Sequence, residues 1–471
     1  MKLYMKLFSA KFLSKLFCLI ALFVALPLHS NRLGPLRQQY QHVPVNTTFA
    51  KKRCTVLLYG AARNDLLPFI DRNLMQLMQL GTNDEVTFLV HLDIFGSGRR
   101  KLTQRFIIYK NQMIQVGDDM QMDSGDPETL RDACTWGFTN FPSDMAVLIL
   151  WNHGTGDLEP MRSKAINPSE LYVFNPKTNL VELNRSIQFL EYIENKEETP
   201  DVRGICFDEY TGHFLTNHQV GEVLRDISHT CLGGRPLDIL CCDACLMMGI
   251  GFAYSLKPYH TQPVARYLVG SQEVVLATGY PYAQMFGKLA AQPVSAEEFA
   301  KDTVRIFSDS YGRITHDYTQ SAICLEALDP LYESIDTLGN LLIEGMKKQA
   351  DKSVKNVIKK CSSRTTCTYF EEPSYKDLYQ LLNNMLKNID SIVLLSPADT
   401  TNFKQRLSVE LRKCCSLIDR VVIANAAGKG LKDAHGISVY VADRKVYPSF
   451  PYTDFAQHTS WMNMLGLYLN S

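Results

Sequence analysis

One stretch, PLDILCCDACLMM at positions 236–248, constrains the fold more than any other part of the chain. Its first part, residues 237–242, is a compact apolar run that follows two glycines and a proline. Such a run is typical of a strand buried on both faces of a sheet. The residues after it, 246–256, are rich in Leu, Met, Phe and Tyr and predict a helix. The stretch therefore predicts a buried strand, a short turn and a helix, the basic unit of an α/β fold.

Cys245 lies in the predicted turn, at the start of the predicted helix. The free N–H groups and the dipole of a helix N-terminus favour an anion. A thiolate is an anion, so this placement predicts an activated, nucleophilic cysteine. The alternative is a buried structural cysteine, because cysteine often packs as a small apolar side chain.

A second buried run supplies a base for such a nucleophile. Residues 145–151 predict a strand, and His153 and Gly154 follow it in the string MAVLILWNHGTG. In open α/β sheets, ligands bind beyond the carboxyl ends of the strands. A lone histidine is more often structural. A histidine and a cysteine that each follow a buried strand favour a catalytic pair at one edge of a sheet.

Strands and helices alternate through the first two thirds of the chain, which predicts a mostly parallel sheet covered on both faces. The helical pattern of residues 66–80 follows Asn64 and Asp65, which are predicted to cap that helix. Residues 103–109 and 112–116 predict a hairpin, and residues 204–207 and 322–328 predict further strands.

The strings WNHGTG, FDEYTGHFLT, DACLMM and GSQE resemble the clostripain family of caspase-like cysteine peptidases, over roughly residues 54–310. The resemblance implies a caspase-like three-layer α/β sandwich with a mostly parallel central sheet, plus a largely helical C-terminal subdomain. It implies a Cys–His dyad that needs no orienting third residue, with Cys245 as nucleophile and His153 as proton donor. The backbone N–H groups of Gly154 and Cys245 would then hold the oxyanion.

Two acidic residues are candidates for substrate recognition. Members of the clostripain family cleave after Arg or Lys, and the resemblance places Asp243 in the pocket for that side chain. The alternative is that Asp243 caps the following helix. Glu273, after the predicted strand 265–270, is a second candidate. A carboxylate binds guanidinium in a bidentate manner, so Arg should be accepted at least as well as Lys.

Four alternatives, for the whole chain or for single residues, stand beside this interpretation. Cys242 and Cys245 form a CxxC motif, which is also found in thiol-redox proteins. A non-catalytic binding module on a peptidase fold is a further alternative. His435 and Gly436 form a second HG pair, but they precede a strand-like run. Asp208 and Glu209 are predicted to lie in an exposed turn, with a cation site as the alternative.

The chain divides into five predicted regions. They are a signal peptide (1–30), a linker or pro-segment (31–52), a peptidase domain (53–328), an insertion or processing loop inside it (157–203) and a helical C-terminal subdomain (329–471). A basic start followed by a short apolar run is typical of export, to the periplasm, the cell surface or the medium. Membrane attachment is expected only if this segment is uncleaved. The 49 basic and 49 acidic residues balance, so no nucleic-acid partner is expected.

The predicted insertion shows little core pattern and carries basic residues that a basic-specific peptidase would accept: Arg162, Lys164, Lys177, Arg185, Lys196 and Arg203. It therefore predicts self-processing, with a plain surface excursion as the alternative. Export would permit disulfides, and Cys361 and Cys367 flank a segment that a disulfide would close. We expect no required cofactor and no metal site. A role for Ca²⁺ is implied by the resemblance only, without named ligands.

Overall fold

Buried apolar strands and amphipathic helices build the architecture. The computed structural model describes residues 43–45, 47–158, 172–184 and 204–470. The strands are β1 (Lys52–Ala61), β2 (Val86–Phe95), β3 (Lys101–Tyr109), β4 (Gln112–Gln115), β5 (Ser143–Trp151), β6 (Tyr172–Asn175), β7 (Leu180–Leu183), β8 (Leu237–Asp243), β9 (Ala265–Gly270), β10 (Thr319–Cys324), β11 (Tyr375–Asp377), β12 (Val422–Ala427) and β13 (Ser438–Tyr440). The helices are α1 (Leu67–Leu80), α2 (Pro127–Asn140), α3 (Asn217–Thr230), α4 (Ile250–Leu256), α5 (Tyr282–Ala291), α6 (Ala296–Tyr311), α7 (Asp329–Lys348), α8 (Ser353–Cys361), α9 (Leu378–Lys387), α10 (Pro397–Val421), α11 (Asp454–His458) and α12 (Trp461–Leu469).

Nine of the described strands form one sheet, in the order β12–β10–β9–β8–β5–β1–β2–β3–β4. The five central strands, β9 to β2, pair in parallel, and the strands outside them pair antiparallel. The central strands β1, β5 and β8 are almost wholly buried, as their continuous apolar runs predict. The predicted α/β fold with a mostly parallel sheet is confirmed, and so is the hairpin, which is β3 and β4.

The helices around the sheet form two contacting groups, α1–α5–α6 and α2–α3–α4, as expected for two layers that flank a sheet. Several begin where the sequence carries a capping signal. The Asp126 side chain caps α2, with Pro127 in its first turn, and Thr216 caps α3 in a reciprocal capping box with Gln219. Ser295 caps α6. Each cap satisfies backbone N–H groups that a helix start leaves without partners.

The register of the parallel strands aligns the loops that leave the sheet. Trp151 of β5 pairs with Asp243 of β8 and with Gly60 of β1. His153 lies two residues after Trp151, and Cys245 lies two residues after Asp243, so both follow the same pair of strand residues. The loops after β1, β5 and β8 leave from the same edge of the sheet, which is where α/β folds bind ligands.

The region after residue 328 is joined to the sheet. β12 pairs with β10, so strand pairing crosses the predicted domain boundary, and all described residues belong to one compact unit, residues 40–471. Helices α7, α10 and α12 pack together, which agrees with the predicted helical character. The small β11–β13 sheet reaches the loop after β8, where Ser438 N–H donates to the Met248 carbonyl at 2.9 Å.

Three local predictions need correction. The predicted strand 204–207 is reduced to isolated bridges at Ile205, and the strand predicted at 322–328 is β10, Thr319–Cys324. The predicted insertion contains a hairpin, β6–β7, which its weak pattern did not indicate. Residues 185–203 of the predicted insertion, where the pattern of residues 187–193 is compatible with a short helix, lie outside the described residues. Within the described part of the chain, no helix is both long and apolar enough to cross a membrane.

Candidate active site

Cys245 lies in a turn between β8 and α4, but it does not lie at the start of the helix. Leu246 adopts a left-handed φ of 61°, and α4 begins only at Ile250. The prediction that a helix N-terminus activates Cys245 is therefore wrong. The residues of this turn are apolar because neighbouring segments bury them. In the sequence, such an apolar run looks the same as the buried part of a helix.

The thiol of Cys245 is nearly excluded from solvent, at 6% exposure. Its Sγ accepts a hydrogen bond from the backbone N–H of Val275 at 3.2 Å. Val275 belongs to the segment that follows β9, so the loops after two adjacent parallel strands meet at the thiol. A backbone N–H that donates to sulfur favours the thiolate over the thiol.

His153 lies in the loop after β5 and lines the same cleft as Cys245. Its Nε2 lies 2.6 Å from Oδ1 of Asp65, which follows β1. Gly154 packs directly on the cysteine loop, since a Cβ at this position would lie 2.4 Å from the carbonyl oxygen of Cys245. The absence of a side chain at Gly154 thus lets the histidine and cysteine loops approach each other.

The cleft is narrow, and its empty space of about 370 Å³ includes a part that is open to solvent. His153, Asp243 and Cys245 are each at most 6% exposed, so the three site residues are buried. The cleft combines these polar groups with apolar walls, as ligand pockets commonly do. It is lined by Leu66, Trp151, Asn152, His153, Asp243, Ala244, Cys245, Val275, Leu276, Ala277 and Gly279.

Asp243 contributes a buried carboxylate to this cleft and does not cap α4. Its Oδ2 accepts hydrogen bonds from Tyr280 N–H at 3.0 Å and from Tyr282 Oη at 2.8 Å. Burial raises the pKa of Asp243 to about 7, although these two hydrogen bonds partly oppose the shift. Gly279 makes room for the carboxylate, because its φ is 65° and a Cβ there would lie 2.8 Å from Oδ2.

Glu273 is not among the residues that line the cleft. It is fully buried, and its carboxylate oxygens accept the backbone N–H of Glu371 at 3.0 and 3.1 Å and that of Val274 at 2.8 Å. These contacts fix the segment after β9 to the C-terminal region. The structure therefore places Glu273 in a supporting position behind the pocket wall.

Asp157, which the sequence did not single out, links the two site loops. It follows His153 by four residues, and its carboxylate accepts hydrogen bonds from the backbone N–H groups of Gly251 and Phe252 at the start of α4 and from Asn217 Nδ2. Burial raises the pKa of Asp157 to about 7, and these donors partly oppose the shift. The acidic side chain at the N-terminus of α4 is thus Asp157, and Cys245 does not occupy that position.

This buried carboxylate predicts a pH-dependent stability. The native pKa is about 7 and the ordinary value is 3.8, so the native state binds a proton more tightly than the unfolded state. Its contribution is fully present below about pH 4 and is lost as the pH rises through about 7. We expect wild type to lose on the order of 4 kcal/mol relative to Asp157→Asn across this range, measured by urea unfolding. Asp243 titrates in the same range in both proteins and cancels in the difference. If the free energies of unfolding of wild type and Asp157→Asn changed by the same amount over this pH range, the expectation would be contradicted.

The C-terminal region also fixes the histidine loop. Tyr375 of β11 is fully buried, and its hydroxyl donates to the Thr155 carbonyl at 2.7 Å. The same oxygen accepts the backbone N–H groups of Asp157 and Leu158 at 2.7 and 2.9 Å. Together with the contact of Ser438 to Met248, β11 and β13 hold the loops that carry His153 and Cys245.

The β6–β7 hairpin lies over the wall of the cleft. Tyr172 is buried, and its hydroxyl donates to the Val274 carbonyl at 3.0 Å, next to the residue that contacts the thiol. The other strand is fixed by Val181 N–H to the Ile314 carbonyl at 2.8 Å and by Leu183 N–H to Asp317 Oδ2 at 3.0 Å. The hairpin thus holds down the segment that closes the site.

The competing residues lie elsewhere. Cys242 is fully buried in the sheet, where burial raises the pKa of its thiol. His435 lies against Asp377 and stacks on Tyr379, away from the cleft-lining residues. The predicted exposed turn is wrong for Asp208, which is fully buried and paired with Arg63. No cation site is formed there.

Metal and disulfide chemistry find little support in the described part of the chain. There, no group of three or more His, Cys, Asp or Glu side chains is arranged to hold a metal ion. None of the twelve cysteines in this part forms a disulfide, and the predicted small loop between Cys361 and Cys367 is therefore not closed by one.

A caspase-like α/β sheet that carries a thiol, an imidazole and a carboxylate at one edge defines the class of the fold and the site. The chain belongs to the clostripain family, whose model matches residues 191–466, more than half of its length. The predicted family resemblance and the predicted caspase-like fold are thereby confirmed. The matched range includes Asp243 and Cys245 but begins after His153.

One relative and two solved structures illustrate the likeness. Clostripain of Hathewaya histolytica is 26% identical over 186 residues, which are 39% of this chain and only 28% of that relative. A secreted C11 cysteine protease from Bacteroides thetaiotaomicron, solved with an irreversible peptide inhibitor, has a TM-score of 0.53 at 17% identity and covers 88% of this chain and 98% of its own. An inactive zymogen C11 protease from Parabacteroides distasonis has a TM-score of 0.55 at 15% identity, with coverage of 89% and 99%. At these identities the structures show a shared fold.

Proposed function

We propose that this chain is a cysteine endopeptidase that cleaves peptide bonds after Arg or Lys. One observation carries the proposal: the thiol of Cys245, the imidazole of His153 and the carboxylate of Asp243 line a single cleft at the carboxyl edge of the sheet. Membership of the clostripain family supports it independently. Asp243 presents the charge that a guanidinium or ammonium group would pair with.

The proposed reaction proceeds in two steps. Cys245 Sγ attacks the carbonyl carbon of the scissile bond, the C–N bond breaks, and His153 donates a proton to the leaving amine. Water then loses a proton to His153 and attacks the thioester, which releases the new carboxylate and restores the thiol. Backbone N–H groups of Gly154 and Cys245 are proposed to bind the oxyanion.

A matched substrate panel tests this function. The fluorogenic peptide amides differ only in the residue before the scissile bond: Arg, Lys, citrulline or Asp. Citrulline keeps the shape of arginine without its charge. We expect Arg and Lys to be cleaved and citrulline and Asp to be cleaved poorly. Cleavage of citrulline and Arg at equal rates would contradict a basic specificity, and no cleavage of any peptide would favour a binding module.

The thiol-redox alternative has less support. Its CxxC pair would need both thiols to be accessible, but Cys242 is fully buried within β8 while Cys245 lines the cleft. A redox protein would reduce a disulfide substrate and would depend on both cysteines. The same preparations, assayed for insulin disulfide reduction, separate the two functions.

Self-processing is part of the proposal, because the site residues are buried and the β6–β7 hairpin is hydrogen-bonded to Val274, next to the residue that contacts the thiol. Most of the basic residues predicted as cleavage positions lie outside the described residues, but Lys177 lies in the exposed turn of the hairpin. A cut beside or within the hairpin would weaken its hold on Val274. We expect purified wild type to consist of two associated fragments, split after a basic residue, and Cys245→Ala to remain intact by mass spectrometry. Active wild type with an intact mass would contradict self-processing.

Export also belongs to the proposal and is supported by the basic and apolar pattern of residues 1–30. Protein recovered outside the cytoplasm with its N-terminus beyond residue 30 would support it. Full-length protein confined to the cytoplasm would contradict it.

A further inference from the structure

His153 has a carboxylate partner that a Cys–His dyad does not require. Its Nε2 lies 2.6 Å from Asp65 Oδ1, and the two side chains are only 7% and 20% exposed. Asp65 follows β1, the strand that pairs with β5, so neighbouring strands deliver both groups to one edge of the sheet. The sequence predicted Asp65 as part of a helix cap, yet α1 begins at Leu67 with no side-chain cap.

The loop that carries Asp65 is fixed by the two residues that precede it. The buried guanidinium of Arg63 pairs with Asp208 and donates to the Ile94 carbonyl at 3.1 Å. Asn64 Nδ2 donates to the carbonyls of Ala61 and Phe207 at 3.0 and 2.8 Å. Asp65 is thus held by buried polar contacts of its neighbours, which limits the positions its carboxylate can take.

The loops of Asp65 and His153 are also tied to each other. Asn152, the residue before His153, donates through Nδ2 to the Ala61 carbonyl. Its Oδ1 accepts the backbone N–H of Phe207 at 2.7 Å. Asn64 and Asn152 therefore bind the same two backbone positions, Ala61 and Phe207. These shared backbone contacts therefore fix the distance between the imidazole of His153 and the carboxylate of Asp65.

We infer that Asp65 is a positioning residue for His153, and this inference rests on the proposed peptidase function. The carboxylate accepts a hydrogen bond from Nε2–H. The neutral imidazole therefore carries its proton on Nε2 and keeps its lone pair at Nδ1. Nδ1 then takes the proton from Cys245 Sγ and later gives it to the leaving amine. By holding the imidazole in this tautomer and orientation, the carboxylate keeps Nδ1 available to Cys245. The other ionisable groups that share the cleft with His153 are Cys245 and Asp243.

Asp65→Asn tests the inference because an amide keeps the shape and removes the charge. We expect kcat to fall roughly 10²-fold with little change in KM. We also expect the midpoint of Cys245 alkylation by iodoacetamide to move to higher pH, because the imidazole is no longer held in the tautomer and orientation that take the proton of Cys245. Asp65→Glu, which keeps the carboxylate, should restore part of kcat and of the alkylation midpoint. Glu209→Gln is the matched control, an acid-to-amide change in a nearby exposed residue that pairs with Arg99.

The two readouts separate the inference from the function on which it rests. Alkylation needs no peptide substrate, so it reports the Asp65 contact even if wild type cleaves none of the peptides. A wild-type alkylation midpoint in Asp65→Asn would overturn the inference while leaving the peptidase proposal intact. If Asp65→Asn does not fold, as judged by its melting temperature, Asp65→Ser, which also removes the carboxylate, carries the test. Wild-type kcat together with a wild-type alkylation midpoint in that variant would overturn the inference.

Discussion

Cys245→Ala should lower the hydrolysis of Arg-amide peptides by on the order of 10³-fold or more, because no other group in the cleft can form the acyl intermediate. Cys242→Ala is the matched control. It removes the other thiol of the CxxC motif, but from inside the sheet, where it does not line the cleft. We therefore expect Cys242→Ala to retain most activity per folded molecule, with some loss of stability from the small cavity. Equal inactivation of both folded variants would contradict the assignment and favour a redox pair.

His153→Ala belongs to the same experiment and should cost roughly 10²- to 10⁴-fold in kcat, the usual worth of a general acid–base. His435→Ala is its control, since His435 also precedes a glycine but lies against Asp377 and Tyr379. Near-normal activity in His153→Ala combined with an inactive His435→Ala would move the site to the C-terminal region.

Asp243→Asn should lower kcat/KM for Arg and Lys peptides by roughly 10²-fold, the equivalent of about 3 kcal/mol, because the charge that pairs with the substrate is lost. The amide oxygen can still accept from Tyr280 N–H and Tyr282 Oη, so the pocket should keep its shape. The citrulline peptide, which brings no charge, should lose little. Glu273→Gln separates the two predicted acidic positions, since Glu273 is not among the cleft-lining residues. Unchanged Arg cleavage in Asp243→Asn would reject Asp243 as the specificity group.

The raised pKa of Asp243 adds a second readout of the same prediction. With a pKa of about 7 in the absence of substrate, its carboxyl group is increasingly neutral below that pH. The ratio of kcat/KM for Arg over citrulline should therefore fall as the pH drops below about 7. Titration of Cys245 and His153 affects both substrates and cancels in the ratio. A ratio that does not change with pH in wild type would show that Asp243 is ionised throughout.

Features that arise from continuous local patterns could be read from the sequence. The buried apolar runs of β1, β5 and β8 predicted a parallel sheet, and the positions of His153 and Cys245 after two of these runs predicted their meeting at one edge. Capping residues such as Thr216 and Ser295 likewise predicted helix starts. These signals come from residues that are neighbours in sequence. They can therefore be recognised without knowing which distant segments pack against them.

Features that depend on distant partners could not be read in this way. The contact of Asp65 with His153 spans 88 residues, and nothing local distinguishes Asp65 from an ordinary helix cap. Asp157 binds the start of α4, far along the chain, and its environment exists only after folding. The turn at Leu246 was mistaken for a helix because its buried apolar residues are compatible with either structure. Asp65 lies four residues after the end of the buried strand β1, and this place near the expected edge of the sheet was the signal that could have singled it out.

The dependence of both site loops on β11 and β13 governs when the chain can become active during its synthesis. Tyr375 lies 220 residues beyond Thr155, and Ser438 lies 190 residues beyond Met248. A ribosome must therefore translate β11 and β13 before both loops gain these hydrogen bonds. Shorter nascent chains already carry the cysteine and the histidine, but with the loops not yet fixed by these strands. We expect a thiol-directed activity probe to label ribosome-bound chains that include β13 and to leave chains that end before β11 unlabelled. The position of these strands after the site loops thus predicts that the site is assembled only after β11 and β13 have been synthesised.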